Sequence, residues 1–126
     1  MKKRVLLVDD SNTVLMMEKM ILAKGPFDIA VAHDGVEAIA KAREFQPDII
    51  LLDVMMPHLD GLKACAAIRA NQATAHIPII MVTTRGEEAN IETAFHNGCT
   101  DYVTKPINSL ELLTKIQSIL GLQGAA

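Results

Sequence analysis

Short apolar runs alternate along this chain with segments of helical periodicity, and that rhythm leaves few folds open. Val5-Leu6-Leu7-Val8, Ile49-Ile50-Leu51-Leu52 and Ile79-Ile80-Met81-Val82 have strand length and lack the polar alternation of a half-exposed strand. Such runs predict a sheet covered on both faces. Their alternation with helical segments predicts parallel strands joined by right-handed crossovers. Strands are expected at 4–8, 27–32, 48–53, 77–83 and 100–104, and helices at 12–24, 35–45, 60–71, 87–97 and 108–120. With 126 residues, half of them hydrophobic, the chain suits one domain with a real core.

The punctuation agrees with these boundaries. Asp34 with Glu37, and Asn108 with Glu111, have the spacing of reciprocal helix-start caps. Gly98 is placed to stop the fourth helix in a left-handed conformation. Val36, Ile39 and Ala40 are expected to face the core from the second helix, and Leu112, Leu113, Ile116, Ile119 and Leu120 from the fifth. On the first helix, Val14, Met17 and Ile21 fall on one stripe, with Met16 nearly opposite and Leu15 and Met20 on the flanks.

The chemistry collects where the apolar runs stop. One ends in Asp9-Asp10, another in Asp53, a third in Thr83-Thr84, and Tyr102-Val103-Thr104 ends in Lys105-Pro106. Parallel strands bring these groups to one edge, where open α/β sheets bind ligands. Clustered carboxylates repel one another unless a cation neutralises them. Mg²⁺ suits best, because it takes a few carboxylates, keeps waters and accepts a phosphate oxygen; Mn²⁺ is an alternative. Read alone, Asp9-Asp10-Ser11 is also an ordinary helix-capping turn, Lys105 a solvated lysine and Thr83 a β-branched strand residue. In one pocket, Lys105 would pair with Asp53 or a phosphate on it, and Thr83 would donate to a phosphoryl oxygen.

Other classes find little support. A net charge of −3, three Phe, one Tyr and no Trp speak against a nucleic-acid surface. No run is long enough to span a bilayer, and the basic start at Lys2-Lys3-Arg4 meets Asp9 too soon for a secretory leader. Cys65 and Cys99 form no CxxC and are expected to be reduced thiols of a cytoplasmic protein. His33, His58, His76 and His96 show no metal-ligand spacing.

Four stretches together resemble the receiver domain of the two-component response regulators: Val8-Asp9-Asp10-Ser11, Leu51-Leu52-Asp53-Val54-Met55-Met56-Pro57-His58-Leu59-Asp60-Gly61, Ile77-Pro78-Ile79-Ile80-Met81-Val82-Thr83 and Gly98-Cys99-Thr100-Asp101-Tyr102-Val103-Thr104-Lys105-Pro106. The resemblance runs from about Lys3 to Leu120 and places the receiver in 1–121, with 122–126 as a flexible tail. It implies a doubly wound, flavodoxin-like α/β fold with five flanking helices and strand order 2-1-3-4-5, the order known for chemotaxis members of the family. It also implies roles. Asp53 would accept a phosphoryl group from a phosphohistidine. Asp9, Asp10, Asp53 and the Met55 carbonyl would hold Mg²⁺, with Asp9 acting largely through metal-bound water. Lys105 would contact the phosphoryl oxygens. An X-Pro bond is trans by default, whereas the resemblance implies a cis bond before Pro106. Thr83 and Tyr102 would move together as a switch. Met55 and Arg85 occupy positions that influence how fast the phosphate is lost, and bulky Met55 is expected to hinder attacking water.

Two surfaces follow. The fourth helix carries a thin apolar stripe of Ala89, Ile91, Ala94 and Phe95, so the fourth helix, fifth strand and fifth helix are the expected readout face for a downstream protein. Leu15, Met16, Met56 and Pro57 are expected to dock a sensor histidine kinase or a histidine phosphotransfer domain, although methionine also fills core gaps. The expected state is a monomer or a weak, phosphorylation-dependent dimer. The main alternative is the same receiver within a longer regulator. A small aspartyl-phosphate phosphatase of the haloacid dehalogenase type would want an acid where Met55 stands. A flavodoxin-like carrier would want a phosphate loop where Asp9-Asp10 stands. A degenerate receiver would not keep the acids and Lys105.

Overall fold

The computed structural model describes residues 2–84 and 87–121, the side chains at positions 88 and 89 excepted. The expectations for Arg85, for the Ala89 side chain and for the 122–126 tail therefore lie outside the described residues. Five strands and five helices alternate: β1 Lys3–Val8, α1 Asn12–Leu22, β2 Phe27–Ala32, α2 Gly35–Phe45, β3 Ile49–Asp53, α3 Gly61–Ala70, β4 Ile79–Thr84, α4 Glu88–His96, β5 Asp101–Lys105 and α5 Ser109–Leu120. All strand pairs are parallel, in the order β2-β1-β3-β4-β5. This is the doubly wound fold expected.

The unbroken apolar runs are explained by two cores, one on each face of the sheet. Leu6, Val8, Ile50, Leu52, Ile79 and Met81 pack under α2, α3 and α4 with Ala38, Ala42, Ala64, Cys65, Ile68 and Ala94. Val5, Leu7, Ile49, Leu51, Ile80, Val82 and Val103 face α1 and α5 with Leu15, Ile21, Leu22, Leu112 and Ile116. Alternate side chains of one strand thus serve opposite layers, and burying each Leu or Ile contributes about 1.5–3 kcal/mol. The caps form as the spacing predicts: Asp34 accepts from the Glu37 amide at 2.8 Å and Asn108 from the Glu111 amide at 2.9 Å. Ser11 caps α1 and Asp60 caps α3. Gly98, at φ +99°, follows the end of α4 in the left-handed region that glycine tolerates. Both thiols are buried.

Three inward assignments need correction. α1 buries Leu15, Glu18, Ile21 and Leu22, while Met17 is 44% exposed. The helix is rotated from the expected Val14-Met17-Ile21 stripe because Leu15 and Leu22 pack into the core with Ile21, which carries Glu18 to the sheet-facing side. On α2, Val36 and Ala40 face solvent, Ile39 is half-buried and the inward residues are Gly35, Ala38 and Ala42. Small residues there let the helix lie close to the sheet. On α4, Ala94 is buried but Phe95 is 46% exposed. On α5, Leu112 and Ile116 are buried, with Leu113, Ile119 and Leu120 packed at the rim.

Candidate functional site at the carboxyl edge of the sheet

The register fixes which strand tips meet. β1 and β3 are neighbours, with Val8 beside Leu52, so Asp9 and Asp53 follow on adjacent strands. β4 and β5 pair Thr83 with Thr104 and Thr84 with Lys105. Asp9 is held by its amide, which donates to Ala32 O at 3.1 Å, and by Oδ1, which accepts from the Ser11 amide at 2.9 Å. The loop after Asp53 closes tightly: Gly61 donates to Val54 O at 2.9 Å, and a Cβ on Gly61 would lie 2.0 Å from the Asp53 carbonyl oxygen. Only glycine permits that approach.

Carboxylate oxygens of Asp9, Asp10 and Asp53 all lie within 4.8 Å of one another. Asp9 and Asp53 are buried and Asp10 is exposed. Lys105 reaches across from β5, its Nζ 3.2 Å from Asp9 Oδ2 and 3.3 Å from Asp53 Oδ1. The peptide bond between Lys105 and Pro106 is cis. Burial first, then the charge of Asp9, pushes Asp53 up to about 6 against the pull of Lys105. Burial works against the Lys105 charge, but Asp53 and Asp9 outweigh it and hold the ammonium above the ordinary lysine range. Two buried carboxylates and one ammonium leave net negative charge, and a hard divalent ion with oxygen ligands relieves it. The acids therefore fit a divalent cation.

Thr83 is buried, and its Oγ1 has no hydrogen-bond partner in the structure. Tyr102 is half-buried. Its ring meets Phe95 edge-on at 6.1 Å between centroids, and Lys115 Nζ lies 5.0 Å from its centre. Lys115 also pairs with Asp101 at 3.3 Å and donates to the Tyr102 carbonyl. Met55 is 60% exposed on the loop after Asp53.

Of the expected docking residues, Met16 is 63% exposed and Pro57 is exposed, while Met56 is half-buried against the core. Leu15 is buried at 3% exposure and cannot meet a partner. Its place in the docking patch falls with the same rotation of α1.

Sequence reasoning missed Glu18. It is 1% exposed, its Oε1 has no hydrogen-bond partner, and burial first, then Asp9, pushes it up to about 8. The one signal was its spacing, i+3 from Leu15 and i−3 from Ile21, and an acid on an apolar face is easily assigned to solvent. His58 was also passed over; its Nδ1 lies 3.0 Å from Asp34 Oδ2.

Three acids and a lysine converging at the carboxyl edge of a parallel sheet define a class of doubly wound α/β domain with a cation-binding site beyond its strand ends. The chain belongs to the response regulator receiver domain family, whose model matches residues 5–117. It is 41% identical over 117 residues to the transcriptional regulatory protein ResD of Bacillus subtilis, covering 93% of this chain and 48% of ResD. The chain thus spans about half the length of that relative. The chemotaxis protein CheY4 of Vibrio cholerae has a solved structure similar to this one at a TM-score of 0.87, with 32% identity, covering 94% of this chain and 99% of that one. The receiver domain of the sensor histidine kinase PA1611 from Pseudomonas aeruginosa matches at 0.88 with 29% identity, covering 96% and 99%, and holds a magnesium ion in its active site cleft. Among the described residues no helix is long and apolar enough to cross a membrane.

Proposed function

We propose that this receiver accepts a phosphoryl group on Asp53 from the phosphohistidine of a sensor histidine kinase or histidine phosphotransfer domain. A carboxylate oxygen of Asp53 forms the new bond to phosphorus, the phosphorus–nitrogen bond breaks, and the electron pair leaves with the imidazole, which takes up a proton. Asp9, Asp10, Asp53 and the Met55 carbonyl would hold Mg²⁺, or Mn²⁺ in its place. The bound ion supplies charge neutralisation at the phosphoryl oxygens. Lys105 does the same from the other side, and phosphoryl transfer relies on such positioning and charge balance more than on covalent help. The observation that carries this reading is the Lys105 ammonium between Asp9 and Asp53, 3.2 and 3.3 Å away.

Phosphorylation places new acceptor oxygens at the tip of β3. The Thr83 hydroxyl turns to them, and Tyr102 follows into the space behind, altering the face made by α4, β5 and α5 that a downstream protein reads. Met16, Met56 and Pro57 contribute to the phosphodonor docking surface. The domain acts in the cytoplasm as a monomer or weak phosphorylation-dependent dimer. Its chemistry is confined to its own phosphorylation and dephosphorylation.

The test is incubation with a small phosphodonor and Mg²⁺, read by intact mass, for wild type and Asp53→Asn. A gain of one phosphoryl group in the wild type alone is expected. No gain in the wild type, or an equal gain in the variant, overturns the reading.

A further inference from the structure

His58 stands on the β3–α3 loop in the left-handed region, at φ 68°, where side chains other than glycine are disfavoured. Something must hold it there, and the structure shows what. Nδ1 of His58 lies 3.0 Å from Asp34 Oδ2, at the start of α2. An ionised carboxylate only accepts, so Nδ1 carries the proton. Asp34 is well suited to this: its other oxygen accepts from the Glu37 amide at 2.8 Å, and that backbone bond first, then His58, holds its carboxyl below the ordinary range. One residue along, the Gly35 amide donates to the Leu59 carbonyl at 3.1 Å, and a Cβ on Gly35 would lie 2.2 Å from that oxygen. The outer part of the loop is therefore fastened to α2 at two successive residues, His58 and Leu59. Its base is closed just past β3, where the Gly61 amide donates to Val54 O at 2.9 Å.

Between the two fastenings lies Met55. A backbone carbonyl has no side-chain freedom with which to adjust, so its aim depends on the loop that carries it. We propose that His58 is a positioning residue, whose hydrogen bond to Asp34 latches the β3–α3 loop so that the Met55 carbonyl is set for the divalent cation. This rests on the function proposed above. The contact in the structure joins His58 to Asp34, not to Asp9, Asp10 or Asp53. Partners of a metal ligand matter because they fix its orientation.

Two variants separate the latch from its surroundings. His58→Gly removes the imidazole and also relieves the left-handed backbone, so the domain stays folded. Asp34→Ser keeps a good helix cap but has no second oxygen for His58. Mg²⁺ alone is titrated into unphosphorylated protein by calorimetry. Each variant is expected to bind it about three- to tenfold more weakly, as suits the loss of one hydrogen bond. The double variant is expected to match either single one, because both remove the same contact. With a small phosphodonor, the Mg²⁺ concentration for half-maximal phosphorylation rises while the rate at saturating Mg²⁺ is kept. Affinity within about twofold of wild type, or losses that add in the double variant, overturns the latch. Failure of wild type to take up phosphorus overturns the functional reading instead, since the calorimetric titration needs no phosphotransfer.

Discussion

Lys105, at the end of β5, lies 3.2 Å from Asp9, which follows β1 three positions away across the sheet. The same Nζ is 3.3 Å from Asp53. Its side chain is 27% exposed, whereas Asp9 is 1% exposed. Lys105→Met therefore leaves two buried carboxylates without their cation. In metal-free buffer at pH 7 the variant is expected to lose about 1–3 kcal/mol of stability by denaturant titration. The loss shrinks as Asp53, which titrates near 6, takes up a proton. Phosphorylation from a small donor with Mg²⁺ is expected to slow by about a hundredfold.

The sign of the pH dependence at Asp53 follows from its raised affinity for a proton. Its carboxyl stands at about 6 in the folded chain against an ordinary 3.8. The native state thus holds a proton that the unfolded state has released, and this group's stabilising contribution is lost as pH rises from 3.8 to 6. Asp53→Asn removes that loss. With chelator at pH 7, the variant is expected to be more stable than wild type by about 1–3 kcal/mol. Added Mg²⁺ narrows the gap, because it stabilises only the wild-type acid cluster well. Denaturation curves at several pH values, with and without the ion, check both statements.

The fold was legible because its signals are redundant. Each apolar run is short, continuous and followed by a helical pattern, and misjudging one boundary leaves the topology intact. Asp53 and Lys105 were legible because a charged residue at the end of a buried run has few ordinary explanations. The faces of the individual helices were harder to read. Val36 satisfies the helical period of α2 yet is 59% exposed, because alanines at 38 and 42 allow closer packing on the sheet. On α1 the inward face contains Glu18, and hydropathy places that face on the wrong side of the helix. The pairing of His58 with Asp34 spans 24 residues and depends on a left-handed backbone that no local pattern announces.

Glu18, 1% exposed, offers a second pH test beside Asp53. Its carboxyl is pushed up to about 8 from an ordinary 4.5. Stability is therefore expected to fall as pH rises from 4.5 towards 8. Glu18→Gln keeps the shape and cannot ionise. It is expected to exceed wild type by on the order of 2–3 kcal/mol at pH 7 and to match it near pH 4. A constant difference across that range would show that the acid is ionised already in the folded chain.

Met55 is 60% exposed beside Asp53, where a bulky apolar side chain can hinder an attacking water. Met55→Asn replaces it with a group able to hydrogen-bond that water. The phosphorylated variant is expected to decay about three- to tenfold faster, a barrier change on the order of 1 kcal/mol. Loss of the phosphorylated mass after removal of the donor measures it, and an unchanged decay would remove Met55 from control of the phosphate's lifetime.

Thr83 presents the opposite case, a polar group buried without use in the resting chain. Its Oγ1 has no hydrogen-bond partner, and the residue is 2% exposed. Leaving a hydroxyl in that state costs about 1 kcal/mol or more, which the phosphoryl oxygens would repay on arrival. Thr83→Val keeps the branched shape and deletes the donor. The unphosphorylated variant is expected to be more stable than wild type by about 1 kcal/mol. Phosphorylation at Asp53 should still occur, since Asp53 and Lys105 are untouched, but it should no longer be felt at Tyr102. That ring is the chain's only tyrosine, so its resonances report the change without further labelling of aromatic residues. In wild type they are expected to shift on phosphorylation as contact with Phe95, now 6.1 Å away, is altered. In Thr83→Val they are expected to stay near their resting positions. Equal shifts in both proteins would break the coupling between the hydroxyl and the ring.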